Sequence, residues 1–133
     1  MCAVRQEGYE QVDFETLLTQ SDIISVHAPL NEHTEGLINS KAFEKMKSSC
    51  IFLNLGRGPI VDEQALYNAL ARNQIAAAGL DVLCKEPMSV DNPLLKIKDS
   101  KRLLITPHIA WASVEARTHL MEIIHGQVKD FFA

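Results

Sequence analysis

The chain has 133 residues, 47% of them hydrophobic and 23% charged, the composition of one ordinary globular domain rather than of a disordered or collagen-like chain. Thirteen Lys and Arg against seventeen Asp and Glu give a formal net charge of -4, so no basic field is present to gather nucleic-acid phosphates. The apolar runs are far shorter than the roughly 20 residues that cross a bilayer, and no leader-like start is seen; a soluble, cytoplasmic protein without a membrane partner is expected.

In chain order, Asp13 to Thr19 reads as a short helix, and Ile23 to His27 is the first of four short apolar runs that stop at turn-forming residues. The others are Cys50 to Asn54, Ile75 to Leu80 and Leu103 to Thr106. Between them, Ser40 to Lys47 and Asp62 to Asn73 read as crossover helices, the second with Leu66, Ala69 and Leu70 at helical spacing behind a capping Asp62. Strand and helix alternate, which defines the α/β class with a parallel sheet, and the near-continuous apolar strands predict cover on both faces. Pro87 to Ser100 reads as a loop. From Ser113 onward, Val114, Met121, Ile124, Val128 and Phe131 keep helical spacing, an apolar stripe that requires a packing partner. Cys2, Cys50 and Cys84 are an odd set without CxxC spacing, which argues against disulfides and a zinc site; Cys50, in an apolar run, reads as a small hydrophobe.

Ligands of an open parallel sheet bind beyond the carboxyl ends of its strands. Those ends carry His27, Ala28, Pro29 and Leu30; then Asn54, Leu55, Gly56, Arg57 and Gly58; then Asp81 with Glu86 and Pro87; then Thr106, Pro107, His108, Ile109, Ala110 and Trp111. Each charged member has a plain reading: Arg57 as a surface arginine, Asp81 as a turn or capping residue, Glu86 as a solvated charge, His108 as an orienting loop histidine. The glycines beside Arg57 permit tight backbone conformations and close approach of a ligand to the chain. A carboxylate beside a histidine favours the protonated ring and holds one tautomer, which suits a general acid and base, so the combination points to chemistry. His33 reads as a solvated loop residue. His119 and His125 fall on different helix faces, and no metal-ligand spacing completes a site around them.

The succession SDIISVHAPL, NLGRGPIVDEQAL, GLDVLCKEP and TPHIAWAS resembles the D-isomer-specific 2-hydroxyacid dehydrogenases, which reduce 2-oxo acids with a nicotinamide cofactor. The last motif looks most like the glycerate dehydrogenases, also called hydroxypyruvate reductases. The resemblance implies that Arg57 grips the substrate carboxylate, that His108 is the acid and base, and that Glu86 stabilises its imidazolium. Glu86 also separates the sequence from the formate dehydrogenase branch, which has Gln there. It further implies that Asp81 meets the nicotinamide end of NAD or NADP, with NAD favoured, and that backbone around Ala28, Leu55, Gly56 and Ala110 lines the cofactor cleft. The implied substrate is a small 2-oxo acid such as hydroxypyruvate or glyoxylate, and a homodimer stays open as the assembly.

The family opens its cofactor domain with a GxGxxG turn and a later acidic residue for the adenosine ribose. The sequence has neither; Gly56, Arg57 and Gly58 form only a GxG. A partial Rossmann-type parallel sheet lacking the first βαβ unit is therefore expected, the C-terminal part of a dinucleotide-binding domain. Residues 1–20 form a weakly matched lead-in, and 113–133 a terminal helix that in the family packs toward the substrate domain. Weak NADH binding and self-association through the exposed sheet edge follow. Two other readings stand beside the enzyme: a noncatalytic NAD-binding module like the family's corepressors, which keep the same charged triad, and an inactive truncated fragment.

Overall fold

The computed structural model describes residues 8–132; the start of the expected lead-in, with Cys2, lies outside the described residues. Asp13 opens helix α1 (Phe14–Gln20) by accepting the Thr16 N–H at 2.7 Å. Strand β1 (Ile23–Val26) follows, then α2 (Ser40–Lys45), where Asn39 caps the N–H groups of Lys41 and Ala42. After β2 (Ile51–Asn54) comes α3 (Glu63–Ala71), capped by Asp62 through Gln64 and Ala65 as its sequence predicts. Strands β3 (Ala77–Leu80) and β4 (Leu103–Ile105) precede α4 (Val114–Phe132). The stretch expected as plain loop, 87–100, contains a 3-10 turn at Pro93–Lys96, because Asn92 accepts the Leu94 N–H at 2.9 Å and Pro93 fits the first helical position.

The four strands pair in parallel, in the order β1-β2-β3-β4. Each strand joins the same edge as the last, so right-handed crossovers place the connecting helices on one side. Accordingly α1 packs on α2, α2 on α3, and α3 on the 3-10 turn at Pro93–Lys96. Ile24, Val26, Phe52, Ala78 and Leu80 point into this layer and are buried. Phe43 of α2 meets Phe52 of β2 edge to face, with centroids 5.5 Å apart, and Leu66, Ala69 and Leu70 of α3 are fully buried on the same core. Side chains of this size contribute about 1.5–3 kcal/mol each when fully buried. Cys50 is sealed in this core, where burial pushes its thiol pKa up.

Cover on both faces is not what the structure shows. Among the described residues the second face is open: Ile23 is 61% exposed and Leu104 64%, and Ile51 beside Ile23 is also exposed. The apolar content of the strands is real, but apolarity along a strand does not state which part of a chain covers it. The same correction applies to α4. Its 19 residues form the expected helix, yet none is buried, and Val114, Met121, Val128 and Phe131 stay exposed. Among the described residues no helix is long and apolar enough to cross a membrane.

Candidate active site

The site is built at the carboxyl edge of the sheet, where three strand exits meet. Asp81, just past β3, is 3% exposed and binds the next exit with both oxygens. Its Oδ1 accepts Thr106 Oγ1 at 2.6 Å and the Ile109 N–H at 2.9 Å, and its Oδ2 accepts the Ala110 N–H at 2.8 Å. Burial pushes the Asp81 carboxyl up, but these hydrogen bonds outweigh it and hold the group below the usual carboxylate range. The loop they shape puts His108 at φ +57, a left-handed conformation that a non-glycine residue keeps only when its surroundings enforce it. Here the His108 N–H donates to the carbonyls of Asp81 and Thr106.

In that pose His108 Nδ1 lies 2.9 Å from Glu86 Oε2. The other Glu86 oxygen accepts the Leu83 N–H at 2.9 Å, and this bond, followed by the one to His108, keeps the carboxyl ionised below its ordinary range. An ionised carboxylate only accepts, so Nδ1 carries the proton that it binds, and Nε2 has no protein partner among the described residues. The ring is thus oriented by one nitrogen and available through the other. A cavity of about 680 Å³ opens beside it, lined by Leu83, Met88, Ile105 and Thr106 together with Asp81, Glu86 and His108.

Arg57 leaves the neighbouring exit, past β2. Asn54, 1% exposed, accepts the Gly56 N–H at 3.1 Å and donates to the Arg57 carbonyl at 3.0 Å, which fixes the peptides on either side of the loop. The exposed guanidinium rests on its own chain, with Nη1 2.9 Å from the Gly56 carbonyl. Ala28, Leu55, Gly56 and Arg57 line one cleft of about 460 Å³ with His27, Pro29 and Leu30. The structure therefore brings the expected residues together as two adjacent groups: Ala28, Leu55, Gly56 and Arg57 in one, and Asp81, Glu86, His108 and Ala110 in the other. Arg57 and His108 line different ones of these two cavities.

Of the two glycines beside Arg57, Gly58 serves the chain's own packing. A Cβ on Gly58 would lie 2.0 Å from the carbonyl of Leu83, so it is the chain's own Leu83–Cys84 peptide, not a ligand, that needs the space. This contact joins the Arg57 loop to the Glu86 loop. Asn54, Thr106 and Glu63, which accepts the Cys84 N–H at 2.8 Å, support the site without being singled out from sequence. Asn54 and Thr106 left a signal, each as a polar residue closing an otherwise apolar strand. Cys84 itself is pushed up to about 11 by burial and by the Glu63 charge. Among the described residues no three His, Cys, Asp or Glu side chains are grouped to hold a metal ion.

A sequentially ordered parallel sheet with an acid, a base and a cation at its carboxyl edge defines a Rossmann-type α/β unit with a polar site at the strand exits. The chain belongs to the D-isomer specific 2-hydroxyacid dehydrogenase family, whose NAD-binding domain matches residues 2–110. It is 45% identical over 129 residues to a hydroxypyruvate reductase of Blautia hydrogenotrophica, covering 97% of this chain and 39% of that one. A D-3-phosphoglycerate dehydrogenase of Archaeoglobus fulgidus is 50% identical over 119 residues, covering 90% of this chain and 22% of the other. Among solved structures, an acyclic imino acid reductase in complex with NADPH and D-Arg superposes with a TM-score of 0.84 at 36% identity, over 98% of this chain and 40% of that one. The chain thus spans two fifths or less of these relatives.

Proposed function

We propose that this chain carries the catalytic half of an NAD- or NADP-dependent 2-hydroxyacid dehydrogenase acting on a small 2-oxo acid such as hydroxypyruvate or glyoxylate. The observation that carries the reading is the 2.9 Å contact between Glu86 Oε2 and His108 Nδ1, with Nε2 free beside a cavity. A planar, permanently charged Arg57 suits a substrate carboxylate, and turning out from its rest on the Gly56 carbonyl would present it. His108 gives a proton to the substrate oxygen through Nε2 during reduction and takes it back during oxidation. Glu86 holds the ring in the tautomer that this requires. Relatives named hydroxypyruvate reductase, glycerate dehydrogenase and glyoxylate reductase support the choice of substrate class.

The cofactor's contribution when bound is the hydride. The residues present fit its nicotinamide end: the cavity beside His108 has apolar walls, and Asp81 Oδ2 accepts one N–H where Oδ1 accepts two donors, so Oδ2 keeps acceptor capacity that a carboxamide would use. Ala28, Leu55 and Gly56 line the adjoining cleft. The sequence holds no GxGxxG turn for the pyrophosphate, so NADH affinity of the 133-residue chain is expected to fall well below that of a full-length relative. The test is NADH oxidation with hydroxypyruvate and with glyoxylate, beside Arg57→Ala and His108→Gln. Turnover that falls about 10²-fold or more in His108→Gln supports the reading. Equal rates in all three proteins would sink it.

A further inference from the structure

We propose that Glu63 is a positioning residue for the Glu86–His108 pair, a role that rests on the dehydrogenase reading above. Glu63 begins α3, where a carboxylate ordinarily serves the helix N-terminus. That task is already filled by Asp62, which accepts the N–H groups of Gln64 and Ala65 at 2.9 and 3.0 Å. Both Glu63 oxygens instead reach another part of the chain. Oε1 accepts the Cys84 N–H at 2.8 Å, and Oε2 accepts Asn92 Nδ2 at 2.8 Å.

These two bonds pin both ends of the segment 84–92, and Glu86 lies between them. At the first end, Leu83, next to Cys84, donates its own N–H to Glu86 Oε1, so the peptide that Glu63 fixes adjoins the one that aims Glu86 at His108. At the second end, Asn92 is 7% exposed and caps the 3-10 turn through Leu94. The absent side chain of Gly58 lets the same Leu83–Cys84 peptide lie on the Arg57 loop. One carboxylate on a helix outside both clefts thereby sets the place of the group that orients the acid and base.

Glu63→Ala and Glu63→Gln in the 133-residue chain test this, with Asp62 left intact. Alanine removes both bonds; glutamine keeps one acceptor and turns a donor toward the other partner. Amide exchange at Cys84 and Leu83 is expected to speed up roughly tenfold or more in Glu63→Ala, less in Glu63→Gln, while β1 and β2 stay protected. The kcat of hydroxypyruvate reduction should fall by about tenfold in Glu63→Ala and recover in part in Glu63→Gln, with KM within about twofold because Asn54 still fixes the Arg57 loop. The downfield Nδ1 proton of His108, the signature of its bond to Glu86, should broaden or vanish in Glu63→Ala. Faster exchange at Cys84 with Leu83 exchange and kcat unchanged overturns the proposal, since Glu63 would then hold the loop without placing Glu86. If the unaltered chain turns nothing over, it is the dehydrogenase reading that fails; Leu83 exchange still decides the positioning, with loss of protection supporting it and unchanged protection overturning it.

Discussion

At the carboxyl edge of the sheet, the buried polar groups find their partners within the chain; on the open sheet face and along α4, large apolar side chains stay exposed among the described residues. Among the described residues no buried side-chain nitrogen or oxygen lacks a hydrogen-bond partner, and Asp81 alone accepts three donors at the edge. Across the sheet, Leu104 is 64% exposed, and on α4 Phe131 is 82% exposed. The reactive geometry is thus a local property of three short loops, whereas the apolar surfaces take their meaning from whatever covers them. Substitutions at the edge should therefore act on stability and site together, and those on the open surfaces on association or on local structure, with little effect on the global fold.

Gly58→Ala should do the most damage. Its Cβ would fall 2.0 Å from backbone, which no rotamer change relieves, so the Arg57 and Glu86 loops must part. Overpacking of this kind is expected to cost ~3 kcal/mol, lowering Tm by roughly 10 °C in thermal melts. A melt within a degree or two of the parent would mean that the two loops are not in contact.

Next comes Asp81→Asn, which turns an NH2 group toward donors that now meet a carboxylate. A loss of about 2 kcal/mol is expected by urea denaturation, together with slower turnover because the His108 loop loosens. The pH dependence follows from the direction of the shifts. Asp81 and Glu86 both have folded pKa values below their unfolded ones, so the stability they contribute is full at neutral pH. It is lost as pH falls below about 4 through the folded values. Denaturation between pH 6 and pH 3 should show this acid limb, flattened in Asp81→Asn. An identical limb in the variant would remove Asp81 from the account.

The parts legible in the sequence are those fixed by neighbours along the chain. Asp62 announces its helix, the apolar runs their strands, and the strand exits collect Arg57, Glu86 and His108 at one edge because parallel strands end on the same side. What was not legible depends on contacts between distant segments. The spacing of Leu53, Gly79 and Leu104 does not reveal that their face of the sheet lies open, and nothing near Glu63 announces Cys84 and Asn92 as its partners. Asp81 allowed either a capping or a ligand reading, and the structure shows it binding the adjacent loop on both oxygens. Gly58 was legible as a tight or closely approached piece of backbone, but Leu83–Cys84 as the segment that approaches it was not.

On the open face, Leu104→Glu should change stability by no more than about 0.5 kcal/mol, because the side chain loses no packing. It should instead reduce self-association, read as a shift of sedimentation toward monomer, by putting charge on the bare apolar surface of an edge strand. Strong destabilisation of dilute protein would show that this face is covered in solution.

The slightest change expected is also the most discriminating. Gly126 sits inside α4, and a Cβ added there would have nothing within 4 Å, so alanine meets no obstacle and removes the entropic cost of a helical glycine, about 0.5–1 kcal/mol. That gain belongs to α4 alone if the helix folds and frays independently of the sheet, since an unpacked helix is a separate cooperative unit. Gly126→Ala should then raise helical circular dichroism slightly while the global Tm stays the same. A Tm that rises with the helicity, and more so at higher protein concentration, would mean that the apolar stripe of α4 is buried against a second copy, so that its stability is linked to that of the fold.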